Sequence, residues 1–85
     1  MSNSKNNITK VEPIDLSTID YEPKYPFFIR SDDGGVIKYI PSGNADDAPI
    51  TKAIDASAYF MDPELVRKVF KVGTTATNIY AGRGI

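Results

Sequence analysis

Apolar and polar side chains alternate on both sides of an Asp-Asp-Gly-Gly sequence between Tyr25 and Ile40. A period of two is typical of β-strands, and glycine reaches the positive φ values that tight turns need. The pattern predicts a β-hairpin with a three-residue loop and a bulged glycine at Gly34 or Gly35. Such a hairpin is marginal alone, so another element must cover its apolar face. That face carries four residues, Phe27, Ile29, Ile37 and Tyr39, with Arg30 and Lys38 on the other side.

Two later segments have apolar residues at helical spacing. Asp62 and Pro63 suit the N-cap and the first position of a helix, and Gly73 suits its end. An apolar and a basic stripe lie between them, so the pattern predicts a helix that covers the hairpin. The segment Ile50 to Met61 is interpreted as a further amphipathic helix. A strand is the competing interpretation, because apolar residues also alternate at positions 54, 56, 58 and 60.

The two ends of the chain have a different composition from its middle. The β-prone residues from Thr74 to Ala81 predict a third strand at the sheet edge, followed by a flexible tip. Met1 to Lys10 is polar and predicts disorder. From Val11 to Pro26, three prolines interrupt any helical period and predict an extended arm. This arm either packs on the chain's own sheet or docks on a neighbouring subunit.

These elements predict an α+β fold in one small domain. An extended N-terminal arm, residues 1–25, precedes a domain of residues 26–85, in which one or two helices pack on the hairpin and the C-terminal strand. A chain of 85 residues buries only a small core. Association with a partner would therefore be a physically sensible source of additional stability.

Histidine and cysteine are both absent from the sequence. Their absence removes the commonest acid–base group at neutral pH, the commonest metal ligand, thiolate nucleophiles and disulfides. The acid pairs at positions 32–33 and 46–47 lie in loops whose turns favour aspartate. We therefore expect a protein that is not an enzyme, with no catalytic residue, no cofactor, no metal and no small-molecule substrate.

The formal net charge of −1 provides no strong attraction to nucleic acid or to an anionic membrane. No apolar run approaches the ~20 residues of a membrane span, and the first residues lack the apolar core of a signal peptide. A cytoplasmic protein is expected. Arg67, Lys68 and Lys71 are candidate phosphate contacts, although a solvated helix face is the favoured explanation of this basic stripe.

The candidate partner-binding residues are apolar side chains of the arm and one aromatic residue beyond it: Ile14, Leu16, Ile19, Tyr21, Tyr25 and Phe28. Anchors of this kind dominate the energetics of protein interfaces. We predict a non-enzymatic assembly or interaction protein that binds neighbouring subunits or itself through the arm. A minor structural component of a virus or phage particle, in the host cytoplasm or the virion, fits this description. The alternatives are a small inhibitor or adaptor of one host protein and a weak, sequence-indifferent nucleic-acid binder.

Overall fold

Six β-strands form two antiparallel sheets in the computed structural model, which describes residues 8–60 and 64–84. In chain order the strands are β1 Ile8–Pro13, β2 Phe28–Ser31, β3 Gly35–Pro41, β4 Ile50–Ile54, β5 Val66–Val69 and β6 Ile79–Gly84. The first sheet has the order β1-β6-β2 and the second the order β4-β3-β5. The described residues contain no helix, and hence none that could cross a membrane. The fold is therefore all-β, and the predicted α+β class is wrong.

The core lies between the two sheets, because alternate residues of each strand point inward. β2 and β6 contribute from the first sheet, and β3 and β5 from the second. Residues of the arm and of the turn before β6 complete the core. The buried cluster consists of Ile14, Phe27, Ile29, Ile37, Tyr39, Val66, Val69, Ala76, Ile79 and Ala81.

The strands β2 and β3 flank the predicted turn but do not pair with each other. β2 pairs with β6, whereas β3 lies between β4 and β5. The hairpin prediction is therefore wrong, although all four residues assigned to its apolar face are buried. They are buried because the two strands belong to different sheets that share one core. Gly34 and Gly35 have φ values of 76° and 135°, as the turn prediction requires of its glycine.

β5 lies where the helix after Pro63 was predicted. The pairing of β5 with β3 contains a register shift between Ile40 and Pro41. Such a bulge adds a residue to one strand, so Val66 and Val69, three positions apart, are both buried. The same spacing is typical of a helix face, which explains the wrong prediction. Its proposed start at positions 62 and 63 lies outside the described residues, and Gly73, with a φ of 101°, lies in the turn after β5.

The segment predicted as a further helix begins with β4, which supports the competing strand interpretation for that part. A C-terminal strand is present, but β6 is the central strand of the first sheet rather than an edge. It also includes Gly82–Gly84, where a flexible tip was predicted. The arm supplies β1, which pairs with β6 on the side opposite β2. β1 already begins at Ile8, within the stretch predicted to be disordered.

Hydrogen bonds connect the turn between β2 and β3 to the turn before β6. The buried Ser31 Oγ accepts from the amides of Asp33 and Gly34, at 3.2 and 3.0 Å, and donates to the Thr77 carbonyl. One Asp33 carboxylate oxygen accepts from the Thr77 hydroxyl at 2.8 Å and from the Asn78 side-chain amide at 2.6 Å. These two hydrogen bonds lower the pKa of Asp33 below its ordinary 3.8.

We expect the protein to lose stability in acid, and Asp33→Asn to reduce that loss. Because the pKa of Asp33 is lower in the folded than in the unfolded chain, its contribution is present above about pH 4 and is lost as the pH falls through the folded value. Urea midpoints measured between about pH 7 and about pH 2 test this. The variant should be less stable than wild type at neutral pH, and the two curves should converge in acid. A constant offset at every pH would contradict the prediction.

Candidate functional site

Part of the arm is packed into the chain's own core. Ile14 is buried, and its amide donates to the Ile79 carbonyl at 2.8 Å. Leu16 packs against the core from the arm. Tyr21 exchanges two backbone hydrogen bonds with Val69, both at 2.9 Å, and its ring meets the Phe27 ring edge-on at 5.1 Å. Three candidate residues, Ile14, Leu16 and Tyr21, thus hold the arm against its own domain.

Two other arm residues point into solvent, Ile19 with 70% and Tyr25 with 61% exposure. The Lys71 amide donates to the Asp20 carboxylate at 2.7 Å, and the next residue, Val72, is 78% exposed. Tyr25 lies in the loop between Tyr21 and Phe27, each of which forms a β-bridge with β5. We call Ile19, Tyr25 and Val72 the arm patch. Ile19 and Tyr25 belong to the arm, which pairs with the side of β5 away from β3, and Val72 follows the end of β5.

Phe28 is half-buried on the outer face of the first sheet. Its partner across the ladder is Gly82, whose other neighbour is Val11 on β1. The Phe60 ring lies directly over Gly82, because a Cβ on that glycine would be 2.6 Å from a ring carbon. Arg30 Cζ stands 5.4 Å from the centre of the same ring. Phe60, which was not among the predicted partner-binding residues, therefore covers part of the face on which Phe28 lies.

The predicted phosphate contacts do not form one free basic stripe. Arg67 Nη2 contacts the Asp46 carboxylate at 2.8 Å, and Arg67 Nη1 lies 3.9 Å from Glu22. Lys68 Nζ lies 3.7 Å from Asp20 and 4.0 Å from Glu22. Because neighbouring carboxylates balance both cations, their pull on a phosphate is reduced. The third residue, Lys71, is exposed beyond the end of β5.

A cleft of about 490 Å³ opens between β2 and β4. Sequence reasoning missed it, because its two walls are far apart in the chain and neither carries a motif. Tyr59 stands at this cleft with 73% exposure, and Ile29 and Ile54 give it an apolar part. The full lining is Ile29, Arg30, Lys52, Ala53, Ile54, Asp55, Ala56, Ser57 and Tyr59.

An ion pair fixes the arm against β6 at another point. Arg83 Nη1 donates to Glu12 Oε1 at 3.0 Å, and the Tyr21 hydroxyl donates to the same oxygen at 3.4 Å. The hydrogen bond from Arg83, followed by the charge of Lys10, lowers the pKa of Glu12 below its ordinary 4.5. Since Glu12 balances the charge of Arg83, we assign this pair to holding β1 in place.

No group of three or more His, Cys, Asp or Glu side chains that could hold a metal ion occurs within residues 8–60 and 64–84. The chain matches no protein-family model, and no curated protein or solved structure shows significant similarity to it. The exposed surfaces are therefore the features from which a function can be inferred.

Proposed function

We propose that the protein is a non-enzymatic assembly protein that docks on neighbouring subunits, in the first place further copies of itself, through the arm patch. The observation that carries this proposal is the contrast along the arm: Ile14 and Tyr21 are anchored in the core, while Ile19 and Tyr25 project into solvent. Large apolar side chains on an anchored backbone lose little conformational freedom on binding. They therefore make effective interface anchors.

The surroundings of the arm patch resemble the rim of a protein interface. Lys68 lies within 4.0 Å of Asp20 and Glu22, which stand between Ile19 and Tyr25 in the arm, and the ammonium group of Lys24 stands 5.5 Å from the centre of the Tyr25 ring. An apolar centre with a mixed-charge rim is the usual composition of such surfaces. The mixed signs favour a protein partner over a polyanion, because a polyanion is attracted by a surface of one sign. A structural subunit present in the host cytoplasm and in a virus or phage particle fits this role.

We expect Ile19→Ser combined with Val72→Ser to weaken self-association at least about tenfold, which corresponds to about 1.4 kcal/mol. The reason is the loss of two apolar side chains from the proposed contact. Light scattering over a concentration series measures the mass of wild type and variant. Deletion of the whole arm is a poorer test, because it would remove β1 and the core residue Ile14 together with the patch.

Val11→Ser is the matched control, since Val11 is an exposed aliphatic residue on the first sheet, away from the arm patch. It should associate like wild type. If the double variant also associates like wild type, the arm patch is not the docking surface. If wild type keeps the mass of one chain at every concentration, assembly through copies of the chain is contradicted.

A further inference from the structure

The cleft between β2 and β4 is bounded at one end by a β-bridge. There Ser31 and Ala56 pair in parallel fashion, and the Ser57 amide donates to the Ser31 carbonyl at 2.9 Å. The two strands belong to different sheets, and the cleft occupies the space beside the bridge. Its volume of about 490 Å³ is within the range of roughly 300–1,000 Å³ that is usual for ligand pockets. This space is large enough to admit a side chain of the size of tyrosine.

Three charged residues line the cleft, and two of them are balanced by partners. Arg30 Nη1 lies 2.6 Å from the Asp32 carboxylate. Lys52 Nζ lies 3.4 Å from Glu64 Oε1. The third residue, Asp55, is exposed, and its carboxylate forms no ion pair or hydrogen bond in the part of the chain that the structure describes. The unbalanced charge of the cleft is therefore negative.

Apolar and aromatic side chains lie next to this carboxylate. Ile54 directly precedes Asp55 in the chain, and Ile29 contributes from β2. The ring of Tyr59, which is 73% exposed, belongs to the same lining. An aromatic ring packs well against surfaces of this kind. The chemical group that fits the cleft is therefore an aromatic side chain with a cation beside it.

The arm presents such a pair in Lys24 and Tyr25, which we call the arm tip. Both residues are exposed, and Lys24 Nζ lies 5.5 Å from the centre of the Tyr25 ring. Within residues 8–60 and 64–84, Lys24 forms no ion pair. The bridges of Tyr21 and Phe27 with β5 hold the loop at both ends, and two prolines restrict its backbone. A loop constrained in this way loses little conformational freedom on binding.

We propose that the arm tip of one copy enters the cleft of another copy. The Tyr25 ring then packs against Ile54. The Lys24 ammonium group pairs with the Asp55 carboxylate. In the tip and in the cleft alike, the charged residue directly follows or precedes the aromatic or apolar one, so a single approach brings both pairs together. This contact rests on the proposed function, because it names the surface on which the arm patch docks.

The proposed contact joins two different surfaces of the molecule. The arm tip lies beside β5, and the cleft lies beside β4. These strands are the two outer strands of the second sheet, with β3 between them. Each copy therefore offers its tip to one neighbour and its cleft to another. Contacts between unlike surfaces build rings or filaments, which suits a structural subunit.

Charge reversal tests this contact in the full chain. Lys24→Glu and Asp55→Lys each change an exposed residue, so the fold should be unaffected. We expect each variant to weaken self-association at least about tenfold, because like charges then meet in the cleft. The variant that carries both changes should return to within about threefold of wild type, since the ion pair is restored with its signs exchanged. Light scattering over a concentration series measures each variant, and a mixture of the two single variants should associate like the double variant.

Asp47→Lys is the matched control, since it makes the same change of charge at an exposed loop residue outside the cleft lining. It should associate within about twofold of wild type. A double variant as weak as the single variants would overturn the proposal. Single variants that associate like wild type would also overturn it, and they are expected if the cleft binds a foreign peptide or a small molecule. If Ile19→Ser with Val72→Ser still weakens association in that case, the arm patch docks on another surface and the proposed function stands.

Discussion

Phe27→Ala should destabilise the protein by about 3–5 kcal/mol and leave much of it unfolded at room temperature. Phe27 is completely buried. It directly precedes β2 of the first sheet and forms a bridge with Val66 on β5 of the second sheet. Its backbone exchanges two hydrogen bonds with Val66, both at 2.8 Å, and its ring packs edge-on against Tyr21. Truncation would leave a cavity between the sheets and free the arm's anchor. The urea midpoint measures the loss.

Phe28→Ala is the matched control for this prediction. The neighbouring phenylalanine is only half-buried and lies on the opposite face of the same strand. We expect it to cost about 1–2 kcal/mol, since less apolar area is removed from contact. Equal losses for the two variants would contradict the assignment of Phe27 to the centre of the core.

Gly35→Ala should cost about 2–6 kcal/mol, for two reasons that add. Gly35 has a φ of 135°, and holding a side chain in such a conformation costs about 1–3 kcal/mol. The added Cβ would lie 2.7 Å from the Cα and 2.8 Å from the amide nitrogen of Ala76. Backbone atoms cannot give way as a flexible side chain can, so the turn before β6 must move, at about 1–3 kcal/mol more.

Gly43→Ala provides the control, because a Cβ there would meet no atom within 4 Å. Its stability should be unchanged or higher by up to about 1 kcal/mol, through reduced freedom of the unfolded chain. Calorimetric or urea unfolding of the two variants measures the difference. A Gly35→Ala variant as stable as Gly43→Ala would show that β3 can separate from the turn before β6 without cost.

Strand alternation predicted the inward residues of β2 and β3 but not their pairing. Phe27 and Ile37 point into the same core, and a period of two reveals that much. Which strand lies beside which depends on contacts distant in sequence, such as Ile29 opposite Ala81. Local turn chemistry at Gly34 and Gly35 favours a hairpin equally well, although the chain crosses there from one sheet to the other.

The wrong helix prediction has a local cause in β5. Val66 and Val69 share a face because a bulge lies in the pairing with β3, and a three-residue spacing alone cannot distinguish a bulged strand from a helix turn. Valine is a poor helix former and a good strand former, which was evidence for the strand. The tertiary pairing with β3 and with the arm decides the outcome.

The candidate surfaces were predictable only in part. Ile19 and Tyr25 were among the predicted partner-binding residues and are exposed, whereas Ile14 and Tyr21 from the same pattern lie against the core. The sequence could not separate these two groups, since burial in the arm depends on contacts with Val69 and Ile79 much later in the chain. The cleft had no sequence signature for the same reason.

Self-association of the full chain is the central claim, and light scattering over a concentration series tests it most directly. Wild type should exceed the mass of one chain at high concentration, because the arm patch of one copy would dock on a further copy. The Ile19→Ser and Val72→Ser double variant should need at least about tenfold higher concentration to reach the same mass. A wild-type protein with the mass of a single chain at every concentration would contradict the claim.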